Sequence, residues 1–262
     1  MNSAVAVKVN VTEENRTYWT HRAPTYSMEN RAELMTDQRE IWKAVISSRI
    51  DRVFPNRDRR SIRVLEVGTG PGFFAIILAE AGYDVTAVDL TPAMLEQARV
   101  NAGKLLPKIR FYEMNAEALD FEDASFDVVV SRNLTWNLPH PCVAYGEWTR
   151  VLTEGGLLLN FDANWYNYLY EADKRDAYEQ DRINSRDAGV ADLNVGDNYD
   201  RMEEIARQIP LSAEHRPAWD LVTLADLGMA ASAETGIWET VWNEQEKLNF
   251  RSTPMFLVTA RK

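Results

Sequence analysis

Cysteine and histidine are scarce: 262 residues hold one cysteine, Cys142, and three histidines, His21, His140 and His215. A lone thiol excludes an intramolecular disulfide, and three scattered imidazoles offer no metal-ligand spacing, so metal dependence is not expected. Cys142 falls in the apolar helical pattern CVAYGEWTRVL and is read as a small buried hydrophobe. No stretch approaches the roughly 20 apolar residues of a membrane span. The opening MNSAVAVKVNVTEENR lacks the basic start, apolar core and small-residue cleavage site of a secretory leader, which predicts a cytoplasmic protein away from membranes. Basic runs are missing too. Lys and Arg number 29 against 40 Asp and Glu, and the net charge of −11 repels nucleic-acid phosphates. A small-molecule partner is expected, and no nucleic acid.

What is present is ordinary globular material, 45% hydrophobic and 26% charged, at a length that fits one large α/β body with an insertion. Residues 28–54 place Leu34, Ile41, Trp42, Val45, Ile46, Ile50 and Val53 at mostly three- and four-residue spacings, which predicts an amphipathic helix ended by Pro55. Apolar strands then alternate with helices: IRVLEVG, FFAIILAEAG, DVTAVDL, PAMLEQARVNAGKL, IRFYEMN, FDVVVS, the helix through CVAYGEWTRVL, and GGLLLNFDA. Such alternation predicts a parallel sheet. After Ala163 it stops. Residues 164–216 are acidic and aromatic, with Trp165, Tyr166, Tyr168, Tyr170, Tyr178 and Tyr199, and are expected to be helical. The helix WDLVTLADLGM follows, then two β-rich runs, AASAETGIWETVW and TPMFLVTAR, separated by a polar turn region from Asn243 to Asn249. The expected parts are an N-terminal helical lid (1–57), a cofactor-binding core (58–163), a helical acceptor-cap insertion (164–216) and the end of the core (217–262).

The strongest motif is VLEVGTGPG at 64–72, a buried strand running into Gly68, Gly70 and Gly72 ahead of a helix. Glycines there let the backbone turn sharply and approach a ligand. Asp89 ends the next strand, where a carboxylate can accept both ribose hydroxyls, so the pair describes an adenosine site at the carboxyl edge of strands 1 and 2. The dinucleotide fingerprint G-x-G-x-x-G requires glycine at position 73, which is Phe73. Glu66 sets a carboxylate near the ligand, suiting a cationic amino-acid tail and opposing a pyrophosphate.

The stretch VLEVGTGPGFFAIILAEAGYDVTAVDLTPAMLEQAR, with NAEALDFEDASFDVVVSRNLTW and RVLTEGGLLL, resembles class I S-adenosylmethionine-dependent methyltransferases, in particular the small-molecule "type 11" group, over about residues 60–163. The resemblance implies a doubly wound, seven-stranded Rossmann-like sheet of order 3-2-1-4-5-7-6 with S-adenosylmethionine as cofactor. It implies that Gly68, Gly70 and Gly72 border the methionine portion and that Asp89 binds the ribose. Leu90 and Met94 then flank the adenine, and Asn115 and Ala116 contact its edge. Asn115 stands where the family often has Asp, so charge assistance to the adenine amino group is lost there. YWTHRAPTY is similar to a pattern ahead of the core in some of these enzymes that folds over the cofactor. In that arrangement Tyr18 and Tyr26 reach the methionine carboxylate or the sulfonium and Trp19 anchors the lid, unless the segment simply packs.

Acceptor residues should follow strands 4 and 5. Asn133 and Trp136 are weakly similar to the polar-x-x-aromatic motif of some amino-group methyltransferases, which allows an amine acceptor. Asn133 as a turn cap and Trp136 as a pocket wall is the competing reading. His140, between two prolines, is the best base candidate if the acceptor arrives protonated, ahead of His21 and Asp162. The aromatic run 165–170 could wall the acceptor pocket or form a local core. Either a monomer or a homodimer is compatible with it. Two other functions stay open: an NAD(P)-dependent short-chain oxidoreductase, favoured only by the Y-x-x-x-K spacing of Tyr170 and Lys174, and a non-catalytic S-adenosylmethionine-binding module.

Overall fold

The computed structural model describes residues 10–194 and 199–262. The leader-free reading of the N-terminus falls mostly on the first nine residues and lies outside these, as does the side chain of Tyr199. Five strands form the parallel part, four of them largely apolar and β3 at the exposed edge: β1 (Arg63–Val67), β2 (Asp84–Asp89), β3 (Ile109–Glu113), β4 (Phe126–Arg132) and β5 (Leu152–Asp162). Successive side chains point to opposite faces, so Val64, Val128, Leu157 and Leu159 enter one core while Leu65, Val129 and Leu158 enter the other. Helices cover both cores, which is why those four strands read as continuous apolar runs.

The seven-stranded order is β3-β2-β1-β4-β5-β7-β6, with β7 (Phe256–Arg261) antiparallel to both β5 and β6 (Ala230–Glu234). This is the doubly wound α/β sheet expected, in the strand order the resemblance implies. The first face is packed by α2 (Gln38–Val53) and α3 (Phe73–Glu80), where the Trp42 ring lies 5.0 Å from Phe74 and 5.1 Å from Phe161. The remaining helices of the core are α4 (Pro92–Ala102), α5 (Pro141–Val151) and α8 (Ala218–Asp226), and helical additions are α1 (Val11–Leu34), α6 (Ala172–Asp187) and α7 (Tyr199–Ala206).

Four local expectations are corrected. The single helix predicted at 28–54 is two, because α1 ends at Leu34 and the chain turns before α2. The run AASAETGIWETVW is strand only to Glu234; beyond Gly236 it becomes α9 (Trp238–Val241). The polar stretch from Asn243 is not a turn but α10 (Glu244–Asn249), opened by a reciprocal capping box between Asn243 and Glu246. Cys142 is exposed, since the buried stripe of α5 runs through Ala144, Tyr145, Trp148 and Val151 and leaves position 142 facing outward.

Candidate active site

At the carboxyl ends of β1 to β4 lies an open cleft. Its base is Gly68, Gly70, Asp89, Leu90, Thr91 and Met94; one wall is Met114, Asn115, Ala116 and Glu117; the opposite wall is Arg132, Asn133, Leu134, Asn137, Leu138 and Pro139. Thr12, Asn15, Arg16, Trp19 and Tyr26 close it from α1. Their spacing of three, one, three and seven residues puts all five on one side of that helix. The helix is tied down across the cleft: Asn15 Nδ2 donates to the Asn137 carbonyl at 2.9 Å, and Arg16 pairs with Glu113 at 2.7 Å.

Ten residues singled out from the sequence therefore meet here: Trp19, Tyr26, Gly68, Gly70, Asp89, Leu90, Met94, Asn115, Ala116 and Asn133. Gly70 sits at φ +51, and a Cβ there would meet only Tyr26 Cε1 at 3.5 Å, so the added atom would project into the ligand space. Gly72, at φ +92, heads α3 against Ala98, whose Cβ would lie 3.0 Å from an added Cβ; its work is to seat the helix, and it lies outside the cleft lining. Asp89 fixes the loop. One carboxylate oxygen accepts the Gly70 N–H and the other the Thr91 N–H, both at 2.8 Å, leaving a lone pair on each for a diol. Burial pushes the Asp89 carboxyl up, against the pull of those two backbone donors.

Glu66 lies behind the loop and lines a smaller chamber of about 300 Å³ that shares Tyr26, Gly68, Gly70 and Arg132 with the main cleft. It accepts the Thr69 hydroxyl at 2.6 Å, and burial raises its carboxyl from 4.5 to about 8. Arg132 was not anticipated. It is the last residue of β4, pairs with Glu33 of α1 at 2.9 Å, and lies over the rings of Trp42 (4.8 Å) and Phe73 (5.1 Å). Its partner is 99 residues away in the chain, so no local pattern marks it. Burial also pushes the phenol of Tyr26 up, and Arg132 opposes this.

Asn133 adopts φ +54, donates its N–H to the Phe161 carbonyl at 2.8 Å and gives its own carbonyl to the Trp136 indole at 2.9 Å. Asn15, Asn133 and Asn137 each keep a buried side-chain oxygen without a hydrogen-bond partner among the described residues. Trp136 turns away from the cleft and packs with Tyr166 at 5.0 Å in a cluster with Tyr168, Met202, Ile205 and Ile209. Tyr18 packs against that same cluster and does not line the cleft, while Trp19 does. The aromatic run is thus the local core of the cap: Tyr166 and Tyr168 are inside it, Trp165 packs edge-on against Phe250, and Tyr170 bonds the Arg207 carbonyl. Neither Tyr170 nor Lys174 lines the cleft.

The proposed bases lie elsewhere too. His21 is exposed on α1. Asp162 is saturated: it accepts from Arg216 at 2.6 Å, from the Trp136 N–H at 2.9 Å and from its neighbour Ala163 at 2.9 Å. Arg216 also grips Asp220, and all three side chains are fully buried. This ionic knot fixes the segment carrying Asn133 and Asn137 from behind. His140 stands outside the cleft wall, its side chain 67% exposed, with Nδ1 3.0 Å from Glu117 Oε2.

A family model described as a methyltransferase domain matches residues 65–160. Among curated proteins, the demethylmenaquinone methyltransferase of Deinococcus radiodurans is 43% identical over 99 residues, 37% of this chain and 41% of that protein. The ubiquinone/menaquinone biosynthesis C-methyltransferase UbiE of Rhodopseudomonas palustris is 34% identical over 144 residues, 51% of this chain and 56% of that one. An uncharacterized protein of Mycobacterium tuberculosis is 38% identical over 107 residues, 41% of this chain and only 38% of its own length. The matched part thus spans between about two fifths and just over half of these relatives. Among solved structures, a chain of the complex of the Haloferax volcanii Trm112 methyltransferase activator superposes with a TM-score of 0.58 at 16% identity, covering 93% of this chain and 96% of that one. The YcgJ protein of Bacillus subtilis does so with a TM-score of 0.52 at 18% identity, over 80% and 96%. The fold is that of class I S-adenosylmethionine-dependent methyltransferases.

Proposed function

We propose that the chain transfers a methyl group from S-adenosylmethionine to a small-molecule acceptor, with an amine as the acceptor class its cleft suits best. The observation that carries the reading is Asp89, fixed by the Gly70 and Thr91 amides at the tip of β2 beside an open, phosphate-unfriendly glycine loop with Glu66 behind it. Residues present fit the cofactor. Asp89 takes the ribose diol, Leu90 and Met94 the faces of the adenine, and Asn115 and Ala116 its edge. Gly68 and Gly70 run beside the methionine portion, and Gly72 holds the loop to α3. The chamber of Glu66, Tyr26 and Arg132 offers a carboxylate for the ammonium and a buried guanidinium for the carboxylate. Tyr18 and Trp136 act from behind, by packing Trp19 and Asn133 into place.

When bound, the cofactor supplies an electrophilic methyl on a sulfonium, displaced in line. The protein's part is alignment and exclusion of water. α1 covers the cleft, Asn133 and Asn137 border the open space after β4, and their unpartnered amide oxygens suit N–H donors of an amine. Trp19 and Tyr26 present ring faces against which the apolar part of a neutral amine can pack. Among the described residues that line the cleft none is a histidine, which suits an acceptor that arrives deprotonated. Of the lid and cap read from the sequence, α1 then encloses the acceptor, and the cap supports α1 through the pair of Arg201 with Glu14.

Purified protein is to be incubated with methyl-tritiated S-adenosylmethionine and panels of amines, thiols, phenols and carboxylates, following release of S-adenosylhomocysteine. Turnover confined to the amines is expected. Tight binding with silence across all four panels would favour the non-catalytic module, and uptake of a dinucleotide in place of S-adenosylhomocysteine would sink the reading.

A further inference from the structure

We infer that Glu117, held by His140, is the group that reads the 6-amino edge of the cofactor's adenine. The inference rests on the adenosyl reading of the cleft and adds to it a selectivity role for a residue to which the resemblance gave none.

Asn115 is where the charge at the adenine edge is missing. Its side-chain oxygen is already engaged, accepting the Glu117 N–H at 2.9 Å in a tight turn, so only a second lone pair faces any ligand. Two residues on, Glu117 lines the same wall of the cleft, and its side chain is only 9% exposed. A carboxylate so placed has its direction set by its donors. Glu117 Oε1 accepts the main-chain N–H of His140 at 2.7 Å, and Oε2 faces His140 Nδ1 at 3.0 Å. One lone pair on each oxygen is used by this two-point clamp, and one on each remains. The pair therefore returns to the wall a fixed negative acceptor that Asn115 cannot supply. An exocyclic amine donates to it; a 6-oxo group meets two like partial charges and no donor. The clamp also explains His140. An imidazole 67% exposed at the head of α5 has no packing role, yet its nitrogen is turned inward onto a carboxylate of the cleft wall. It is a positioning residue that works through Glu117.

The test is calorimetric titration of the full chain with S-adenosylhomocysteine and with S-inosylhomocysteine, which differ at the 6-substituent and in the proton the 6-oxo form carries on N1. The wild type is expected to prefer the adenosyl ligand by about 10- to 100-fold, the range of one charge-assisted hydrogen bond. In Glu117→Gln the amide can turn its N–H₂ toward a 6-oxo group. The preference is expected to fall to within about threefold, chiefly because the inosyl ligand binds better, a gain that no misfolded variant shows. His140→Ala keeps the main-chain donor and loses the imidazole, so an intermediate preference is expected. Glu117→Gln that retains the full wild-type preference overturns the inference and leaves Glu117 as a cap on α5. So does Asn115→Ala abolishing a preference that Glu117→Gln preserves. Should Glu117→Gln not fold, His140→Ala decides, an unchanged preference overturning the assignment. Failure of the wild type to bind S-adenosylhomocysteine at all is a different outcome, and it refutes the adenosyl reading itself.

Discussion

Replacing Glu66 with Gln tests both the electrostatics of the glycine loop and the direction in which the ligand lies. The carboxyl is buried and its pKa stands at about 8 in place of 4.5. That displacement corresponds to about 5 kcal/mol against the charged form, at 1.36 kcal/mol for each pH unit. A carboxyl raised in the folded state contributes its full stability below its unfolded value and loses it as pH rises from about 4.5 through about 8. Wild-type stability should therefore fall toward pH 9 relative to Glu66→Gln by up to about 5 kcal/mol, because Gln keeps the bond from Thr69 and cannot ionise. Urea melts of both proteins at pH 6 and pH 9 should read about 2.7 kcal/mol of this, since about 2 kcal/mol is already lost between pH 4.5 and pH 6. The ligand arm is sharper. At pH 7 a group titrating near 8 is about nine-tenths protonated. A cationic ammonium arriving beside it draws the charged form, so binding should release about 0.9 proton per ligand at pH 7. Titration of S-adenosylhomocysteine in three buffers of different ionisation enthalpy gives that number as a slope. A slope of zero for the wild type, or the same slope for Glu66→Gln, would refute the placement of the amino-acid end beside Glu66.

Three further outcomes are expected. Asp89→Ala should abolish binding of S-adenosylhomocysteine by calorimetry and leave the far-ultraviolet spectrum intact, with a loss of about 1–3 kcal/mol for each stranded amide seen in melts; unchanged affinity would contradict the ribose assignment. Gly70→Val places a branched Cβ at φ +51 in the ligand space and should likewise remove binding, which the same titration checks. Arg216→Ala strands Asp162 and Asp220, whose side chains are fully buried, and should cost about 3–5 kcal/mol at pH 7. That deficit should shrink as pH falls toward the carboxylate range and the stranded acids take up protons, and an equal deficit at pH 5 and pH 7 in urea melts would count against it.

The centre of the molecule was readable because strands β1, β2, β4 and β5 carry largely apolar runs between glycine and proline signals, and the helices between them repeat at three and four. The first helix was not. Its inward stripe, Thr12, Asn15, Arg16, Trp19, Ala23, Tyr26, Ser27 and Asn30, repeats at helical spacing but is mostly polar, since much of it faces a ligand cleft instead of an apolar core. Hydrophobic periodicity is silent for such a helix. The aromatic run after β5 announced burial without saying against what, and it serves the cap's own core in place of a pocket. α10 was hidden by polarity, although the Asn243-x-x-Glu246 pattern was a start signal for a helix. Pairings such as Arg132 with Glu33, or Glu117 with His140, join segments 99 and 23 residues apart. Only the folded topology brings them together, so the loop and Asp89 were legible while the groups that tune them were not.

α1 meets the cleft along four turns, from Thr12 to Tyr26, and is pinned at its two ends by different parts of the chain: Glu14 to Arg201 of α7, and Glu33 to Arg132 at the end of β4. A guest beneath such a beam cannot depart by surrendering its contacts one at a time. Its residence time is governed by how often the whole beam lifts, so changes at those distant pins alter escape rates without touching any atom of the guest.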